Sequence, residues 1–229
     1  MNYGGVPELS IVMPTVDALS ERVRDCVASL RTSTEADHEL LLLENRSPPQ
    51  GFTAPVNAGI RAARGRYIVV LNDDVELLEG WWPPLRGALE GGAWVAVPDA
   101  GGGYPRDDYF AAWCLAFERE AIERVGHAPG EFFNPEYKIW YQDIELLLHL
   151  CEAGHPPVVV QSPLRHRWGR TVKHQEGELR AWIDEQIERD RQAFISHWPG
   201  GRRGERARRL LEPVLRQYRE SQEDGPPDQ

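Results

Sequence analysis

The feature that most constrains the fold is an uninterrupted apolar run, residues 67–71, which ends in Asn72, Asp73 and Asp74. A short run without polar residues is typical of a strand buried on both faces of a parallel sheet. Ligands of open α/β sheets bind beyond the carboxyl ends of the strands, where these three polar residues would lie. Adjacent carboxylates repel each other unless a cation neutralises them, and their oxygens suit Mg²⁺ or Mn²⁺. The run therefore predicts a cation site at a sheet edge, and the alternative is a solvated acidic turn that only closes a strand.

Strand and helix patterns alternate upstream of this run. Four segments show them: predicted strands at 9–15 and 39–47, and predicted helices at 20–30 and 57–64. Such alternation indicates βαβ units with right-handed crossovers and a mostly parallel sheet flanked by helices. The carboxyl ends of three successive strands would then bring Thr15, Glu44 and the acidic pair to one edge of the sheet.

A second pair of acids, Asp143 and Glu145, lies where a helix is predicted to begin. Carboxylates in a first helical turn are favoured by the helix dipole, which is a purely structural interpretation. The catalytic interpretation is that one of them is a general base, because a carboxylate within hydrogen-bond reach of a hydroxyl accepts its proton. The residues alone leave both interpretations open.

The segment before that helix, residues 126–140, is rich in glycine, proline and aromatic residues. Aromatic faces stack on the apolar faces of sugars, so Tyr137 and Trp140 are candidates for an acceptor pocket, as are Phe132 and Phe133. For each of these side chains, burial in the core is the competing interpretation.

Four segments together resemble family 2 of the glycosyltransferases: SIVMPT, LLLENRS, NAGIRAARGRYIVVLNDDV and YQDIELLLHLCEAGH. They occur in the family's order and at its usual separations, and the resemblance extends from about Leu9 to about Thr171. It implies an α/β chain with the GT-A type, Rossmann-like fold, in which a mostly parallel sheet is flanked by helices. In this chain a C-terminal helical extension would follow.

The resemblance also implies roles for individual residues. Asp74 would hold a cation, Mn²⁺ or Mg²⁺, with His166 as a further ligand and His174 as the second choice. Asp143 would be the general base and Glu145 a supporting acid. The residues expected to contact the nucleotide sugar are Pro14, Thr15, Glu44, Asn57, Asn72 and Asp73.

The expected function is that of a metal-dependent, inverting glycosyltransferase. It would move a sugar from a UDP-, GDP- or dTDP-linked donor to a hydroxyl of a sugar, lipid-linked or small-molecule acceptor. Two alternatives are a sugar-nucleotide-binding or scaffolding module without turnover and a nucleotidyltransferase. The second normally needs a loop rich in glycine and basic residues after the first strand, and residues 15–18 contain none.

Composition argues against other classes of protein. A formal net charge of -10 over 229 residues disfavours a nucleic-acid partner, which needs a broad positive surface. Cys26, Cys114 and Cys151 form no CxxC pair and lie in apolar segments, which indicates buried, unpaired thiols and a cytoplasmic chain. The N-terminal residues lack the basic and apolar regions of a signal peptide, and no segment has the roughly 20 apolar residues that cross a bilayer.

Three regions are expected along the chain: a GT-A domain at 1–175, amphipathic and basic helices at 176–220, and a disordered tail at 221–229. The first helix, at 176–198, would place apolar residues from Leu179 to Trp198 on one face. That face would pack on the domain or form a homodimer. The basic helix at 202–219 would be solvated or make peripheral contact with an anionic membrane.

Overall fold

The computed structural model describes residues 5–45, 49–99, 113–167, 176–200 and 204–210, together with 212 and 216. These residues contain a six-stranded sheet in the order β2-β1-β3-β6-β5-β7 and a separate ribbon of β4 and β8. The strands are β1 Leu9–Thr15, β2 His38–Glu44, β3 Tyr67–Leu71, β4 Val75–Leu77, β5 Ala96–Pro98, β6 Cys114–Glu118, β7 Val158–Val160 and β8 Leu164–His166.

The central sheet is mostly parallel, as the sequence predicts. β1 pairs in parallel with β2 and β3, and β5 pairs in parallel with β7. β6 is antiparallel to both of its neighbours, β3 and β5, so the other five strands run in one direction. The carboxyl ends of β1, β2 and β3 therefore lie at one edge of the sheet, which is the edge expected to hold the site.

Two strand predictions have different outcomes. The strand predicted at 67–71 is confirmed as β3, and all five of its residues are buried. The strand predicted at 39–47 ends at Glu44, because Glu44 is paired with Thr15, the last residue of β1. Beyond it, one hydrogen bond of 2.9 Å continues from Asn45 N–H to the Thr15 carbonyl, and residues 46–48 lie outside the described residues.

Helices cover both faces of the sheet. They are α1 Glu21–Ser33, α2 Thr53–Ala62, α3 Trp82–Glu90, α4 Ile122–Val125, α5 Gln142–Glu152 and α6 Gly177–His197, with a short 3₁₀ turn at Arg119–Ala121 before α4. α2 begins four residues earlier than the predicted 57. It packs very closely on β1, since a Cβ at Gly59 would lie 2.6 Å from a methyl carbon of Val12.

The ribbon of β4 and β8 is absent from the sequence prediction. Each strand has three residues, and they pair antiparallel with Val75 opposite His166. Runs this short carry no periodic signal, because a pattern needs several residues to show alternation. The ribbon connects the segment after the acidic pair with a segment ninety residues later in the chain.

All three cysteines are free thiols. Burial raises the pKa of Cys26 to about 12 and that of Cys151 to about 11, and it raises the pKa of Cys114 still further. Thiols with such pKa values stay protonated at neutral pH, and the thiolate is the reactive form. The three thiols are therefore poorly suited to act as nucleophiles at neutral pH.

α6 packs on the domain rather than standing apart from it. Its residues Ile183, Phe194 and the following Trp198 are buried, and Phe194 and Trp198 belong to the same core cluster as Ile144 of α5. A homodimer through this part of the face would have to separate α6 from its own core. Of the predicted basic helix, only 204–210, 212 and 216 are described, and all of these except 204 are helical. Within the described part of the chain, no helix combines the length and apolar character needed to cross a membrane.

Candidate functional site

The first part of the candidate site joins β1, α1 and the end of β3. Thr15 Oγ1 donates a hydrogen bond of 2.6 Å to Asp73 Oδ2, and the Arg22 guanidinium lies 3.0 Å from the same oxygen. Asp73 is 3% exposed, so its charge would be costly to bury without these partners. Arg22 is available here because Ser20 caps α1 and places Arg22 in the first turn, beside the carboxyl end of β1.

Arg22 was missed by the sequence analysis. It is a polar residue in a predicted amphipathic helix, where a solvated position is the ordinary expectation. In the structure its side chain is only 16% exposed because it pairs with Asp73. The neutralising cation expected for the acidic pair is thus supplied in part by the protein itself.

The second part of the site is formed by Asp74 and His166. The β4–β8 ribbon brings them together, with His166 Nε2 3.0 Å from Asp74 Oδ1 and both side chains less than one tenth exposed. The imidazole stacks on Trp113 with 4.8 Å between the ring centroids, which fixes its orientation. These two residues are predicted from the resemblance to be metal ligands, and in the structure they lie against each other.

The residues present fit a divalent cation that also binds a substrate. Two atoms each about 2.1 Å from an octahedral ion and at right angles to each other lie about 3 Å apart. The observed separation of Nε2 and Oδ1 in His166 and Asp74 is 3.0 Å. Within the described ranges, no group of three or more His, Cys, Asp or Glu side chains could hold a metal ion. Mg²⁺ sites commonly combine one or two protein ligands with waters and substrate phosphate oxygens, and the pair of Asp74 and His166 fits that pattern.

The other residues predicted to contact a nucleotide sugar fall into two groups. Pro14 and Glu44 lie at the carboxyl ends of β1 and β2, and Asn72 follows β3, so all three are at the edge that carries the acidic pair. Glu44 is exposed, and Asn72 is half-buried with its backbone N–H donated to the Trp113 carbonyl.

Asn57 belongs to the second group, and its predicted contact with the nucleotide is not supported. It lies inside α2 and is 1% exposed. Its side-chain amide donates to a carboxylate oxygen of Glu131 and to the Phe133 carbonyl, and its oxygen accepts the Phe133 N–H. These bonds fix the loop before α5, and they leave the amide committed to the protein.

Asp143 lies at the same edge of the sheet as the acidic pair, by two separate arguments. α5 is followed within five residues by β7, which runs in the direction of β1 and β3, so the start of α5 lies toward the carboxyl edge. In addition, the Lys138 carbonyl accepts hydrogen bonds from the backbone of Phe52 and Thr53, where the chain returns from the carboxyl end of β2. Asp143 is 9% exposed, and its Oδ1 accepts the Ile144 N–H.

Glu145 lies on a different face of α5 from Asp143. Residues two apart on a helix point about 200° away from each other. Glu145 accepts a hydrogen bond of 3.0 Å from the Tyr137 hydroxyl, and His197 lies 3.4 Å away. It also lines a cavity of about 380 Å³ between α5 and the loop that precedes it, which Asp143 does not line. The position of Glu145 is that of a structural acid, and the predicted supporting role is not supported.

Of the four aromatic residues predicted for an acceptor pocket, three are buried and one is exposed. Tyr137 is fully buried. Burial raises the pKa of its hydroxyl, and the negative charge of Glu145 raises it further, so the hydroxyl stays protonated and donates. Phe132 and Phe133 are buried as well, so core packing is the correct interpretation for these three. Trp140 is 44% exposed and is the one of the four that can touch a ligand. His174 lies outside the described residues.

Comparison with known proteins gives one family and a fold. Residues 46–124, about a third of the chain, match the sequence model of the family described as Glycosyl transferase family 2. This segment includes the acidic pair but neither Asp143 nor α6. No curated protein sequence gives a significant match to the chain.

Among solved structures, the chain is similar to GalNAc-T7 in a complex with UDP, GalNAc and Mn²⁺. The sequence identity is 14% and the TM-score 0.57, over 92% of this chain and 55% of that one. The chain is also similar to residues 1–349 of TarS from S. aureus in a complex with UDP, with 11% identity and a TM-score of 0.49, over 68% of this chain and 58% of that one. The chain thus spans a little over half the length of these structures, and the likeness to GalNAc-T7 establishes a common fold.

Proposed function

Residues 46–124 match the model of glycosyl transferase family 2, and from that premise we propose that the chain is a member of this family and transfers a sugar from a nucleoside-diphosphate sugar to an acceptor hydroxyl. The proposed reaction inverts the anomeric carbon and depends on a divalent cation, Mn²⁺ or Mg²⁺. The observation that carries the proposal is that two side-chain contacts form at the carboxyl edge of the sheet. Thr15 supports Asp73 there, and His166 lies against Asp74.

The donor would bind at this edge. Asn72 and Asp73 would contact its ribose or sugar hydroxyls, and the Arg22 guanidinium pairs with the buried Asp73 carboxylate at 3.0 Å. Asp74 and His166 would hold the cation, which when bound neutralises charge on the departing diphosphate. GalNAc-T7, which shares the fold, was solved with UDP and Mn²⁺, so UDP-linked donors are the first to test.

Asp143 would act on the acceptor. Its carboxylate would take the proton of the acceptor hydroxyl while that oxygen forms a bond to the anomeric carbon. The bond from the same carbon to the diphosphate oxygen would break, and the diphosphate would leave with the bonding electrons. A single displacement with one base inverts the anomeric configuration. Trp140, which is exposed three residues before Asp143, would contribute an apolar face for the acceptor.

A thermal-shift screen with UDP-, GDP- and dTDP-linked hexoses tests the proposal. A ligand that binds only the native state raises the melting temperature, by an amount equivalent to about 2.7 kcal/mol of stability at a hundred times its Kd. We expect one nucleobase series to raise the melting temperature when Mn²⁺ is present and to have little effect when EDTA replaces it.

Two controls make the screen specific. The free hexoses should have no effect, because the diphosphate carries most of the contacts in the proposal. Stabilisation by nucleoside triphosphates with no response to any nucleotide sugar would instead favour a nucleotidyltransferase. No response to any nucleotide ligand would contradict the proposal.

A further inference from the structure

α6 contains a fully buried carboxylate that the reaction described above does not use. Asp190 is 0% exposed, although α6 lies outside the segment that matches the family. Both of its oxygens accept hydrogen bonds from the loop before α5. Lys138 N–H lies 3.1 Å from Oδ1, and the N–H groups of Ile139 and Trp140 lie 2.7 and 3.0 Å from Oδ2. The side chain of Gln186, one turn earlier on α6, donates to Oδ1 at 2.9 Å.

Three consecutive backbone N–H groups thus converge on one anion. Such a concave arrangement of backbone donors is an anion-binding conformation, and hydrogen bonds to an ionised acceptor are stronger than neutral ones. Residues 138–140 have no role in the proposed reaction that would require the negative charge of Asp190. The arrangement therefore acts to hold residues 138–140 in one conformation against α6.

The opposite side of the same loop is held by α2. The Lys138 carbonyl accepts hydrogen bonds from Phe52 N at 2.6 Å and from Thr53 N at 3.1 Å. Gly51 permits this approach, because its φ is +78° and a Cβ there would lie 2.3 Å from the Lys138 oxygen. The peptide group between Lys138 and Ile139 is thus fixed on both sides. Its N–H donates to Asp190, and its carbonyl accepts from the start of α2.

The fixed loop leads directly to Asp143. Tyr141, the residue after it, has the left-handed backbone conformation, with φ of 75°, which is rare for a residue other than glycine. Its ring stacks on Phe194 of α6, with 4.9 Å between centroids. α5 starts at the next residue, and Asp143 is the second residue of α5. The direction in which Asp143 points thus depends on a turn that α6 contacts twice, through Asp190 at the preceding loop and through Phe194 at the Tyr141 ring.

We propose that Asp190 is a positioning residue for the general base, and that α6 is therefore an integral part of the active site. The inference rests on the proposed function, in which Asp143 is the base. Asp190 orients the backbone of 138–140, the loop sets the turn at Tyr141, and the turn aims Asp143 at the acceptor. Misplacement of a catalytic group by about 1 Å costs about a hundredfold in rate, so this control is large enough to measure.

The variant Asp190→Asn tests the inference. A carboxamide has the size of the carboxylate but only one acceptor oxygen, so it cannot accept all three backbone N–H groups. Turnover is followed as nucleoside diphosphate released from the nucleotide sugar that stabilises the protein, with water as the acceptor. It is expressed per donor-binding site counted by calorimetry. We expect it to fall about tenfold to a hundredfold, with the donor Kd unchanged.

The matched control is Asp184→Asn, on the same helix. Asp184 is exposed and pairs only with Arg180 among the contacts described for it, so this variant should have wild-type turnover. A milder variant, Gln186→Met, removes one hydrogen bond to Asp190 and keeps the carboxylate. It should lower turnover per site by a few fold, and it provides the test if Asp190→Asn does not fold.

A double-mutant cycle separates positioning from a general loss of structure. If Asp190 acts through Asp143, the variant Asp143→Asn/Asp190→Asn should be no slower than Asp143→Asn alone. The inference would be overturned if the double variant were slower than Asp143→Asn by the full factor seen in Asp190→Asn. It would also be overturned if Asp190→Asn and Gln186→Met both had wild-type turnover per site. Full activity of Asp143→Asn would instead overturn the assignment of the base in the proposed function.

Discussion

Replacement of Asp143 by Asn is expected to lower turnover about a hundredfold to ten-thousandfold, which is the usual contribution of general-base catalysis. Asparagine keeps the size of the side chain and the oxygen that accepts the Ile144 N–H, but it cannot take a proton. The donor site is formed by other elements, at β1, β3 and the β4–β8 ribbon. The Kd of the donor, measured by calorimetry, should therefore stay at its wild-type value.

The control for this variant is Glu152→Gln, at the far end of α5. Glu152 lies nine residues from Asp143 in an eleven-residue helix, so its loss should leave both turnover and donor affinity unchanged. If Asp143→Asn weakened donor binding as much as turnover, Asp143 would be a donor contact or a helix cap instead. Full turnover in the variant would remove it from the mechanism.

Replacement of Asp74 by Asn is expected to abolish the Mn²⁺-dependent part of nucleotide binding. Loss of partners that only orient a metal ligand costs about tenfold to a hundredfold in metal affinity, so loss of a ligand should cost at least about a hundredfold. His166 and Trp113 would remain stacked, and the fold should persist. Calorimetric titration of the nucleoside diphosphate with Mn²⁺ and with EDTA measures the difference.

A matched control for this variant is Glu79→Gln, five residues later and exposed. It should bind nucleoside diphosphate with wild-type affinity and keep the dependence on Mn²⁺. Unchanged affinity in Asp74→Asn would contradict the metal role of Asp74. The negative charge of the diphosphate would then have to be compensated by cationic side chains such as Arg22.

The carboxyl edge of the sheet could be predicted because parallel pairing is a strong constraint. The apolar runs fix β1, β2 and β3, and parallel strands place their carboxyl ends together. Thr15 and Asp73 are 58 residues apart in sequence, yet their contact follows from this rule. His166 was placed beside Asp74 by resemblance, although the ribbon that brings them together is too short to leave a pattern.

The remaining site residues could not be predicted because tertiary contacts decide their roles. Arg22 and Asp190 are charged residues in amphipathic helices, a pattern typical of solvated positions. Both are largely buried because of partners in a distant element, which are Asp73 for Arg22 and the backbone N–H groups of residues 138–140 for Asp190. The spacing of Ile183, Asp190 and Phe194 on one face of α6 was the only signal, since it places a carboxylate in an otherwise apolar stripe.

The predicted ligand residues that the structure buries have a common feature. Tyr137 and Asn57 were given ligand contacts because their residue types suit a sugar or a nucleotide. In the structure Tyr137 donates to Glu145 of α5, and Asn57 is bonded to the loop before α5. Both side chains thus satisfy internal hydrogen bonds that buried polar groups require. Glu145, like Asp143, is an acid in the first turn of α5. The period of 3.6 residues puts the two acids on different faces, and this could have been applied to the sequence.

The most direct test of the central claim is release of nucleoside diphosphate from nucleotide sugars. The purified chain is incubated with UDP-, GDP- and dTDP-linked hexoses, with Mn²⁺ or with EDTA, and the products are separated by ion-exchange chromatography. The account predicts that one donor series yields nucleoside diphosphate with Mn²⁺, that EDTA prevents it, and that Asp143→Asn lowers the rate at least about a hundredfold. Binding of a donor without release of nucleoside diphosphate, or release that is the same in Asp143→Asn and Asp74→Asn as in the wild type, would contradict it.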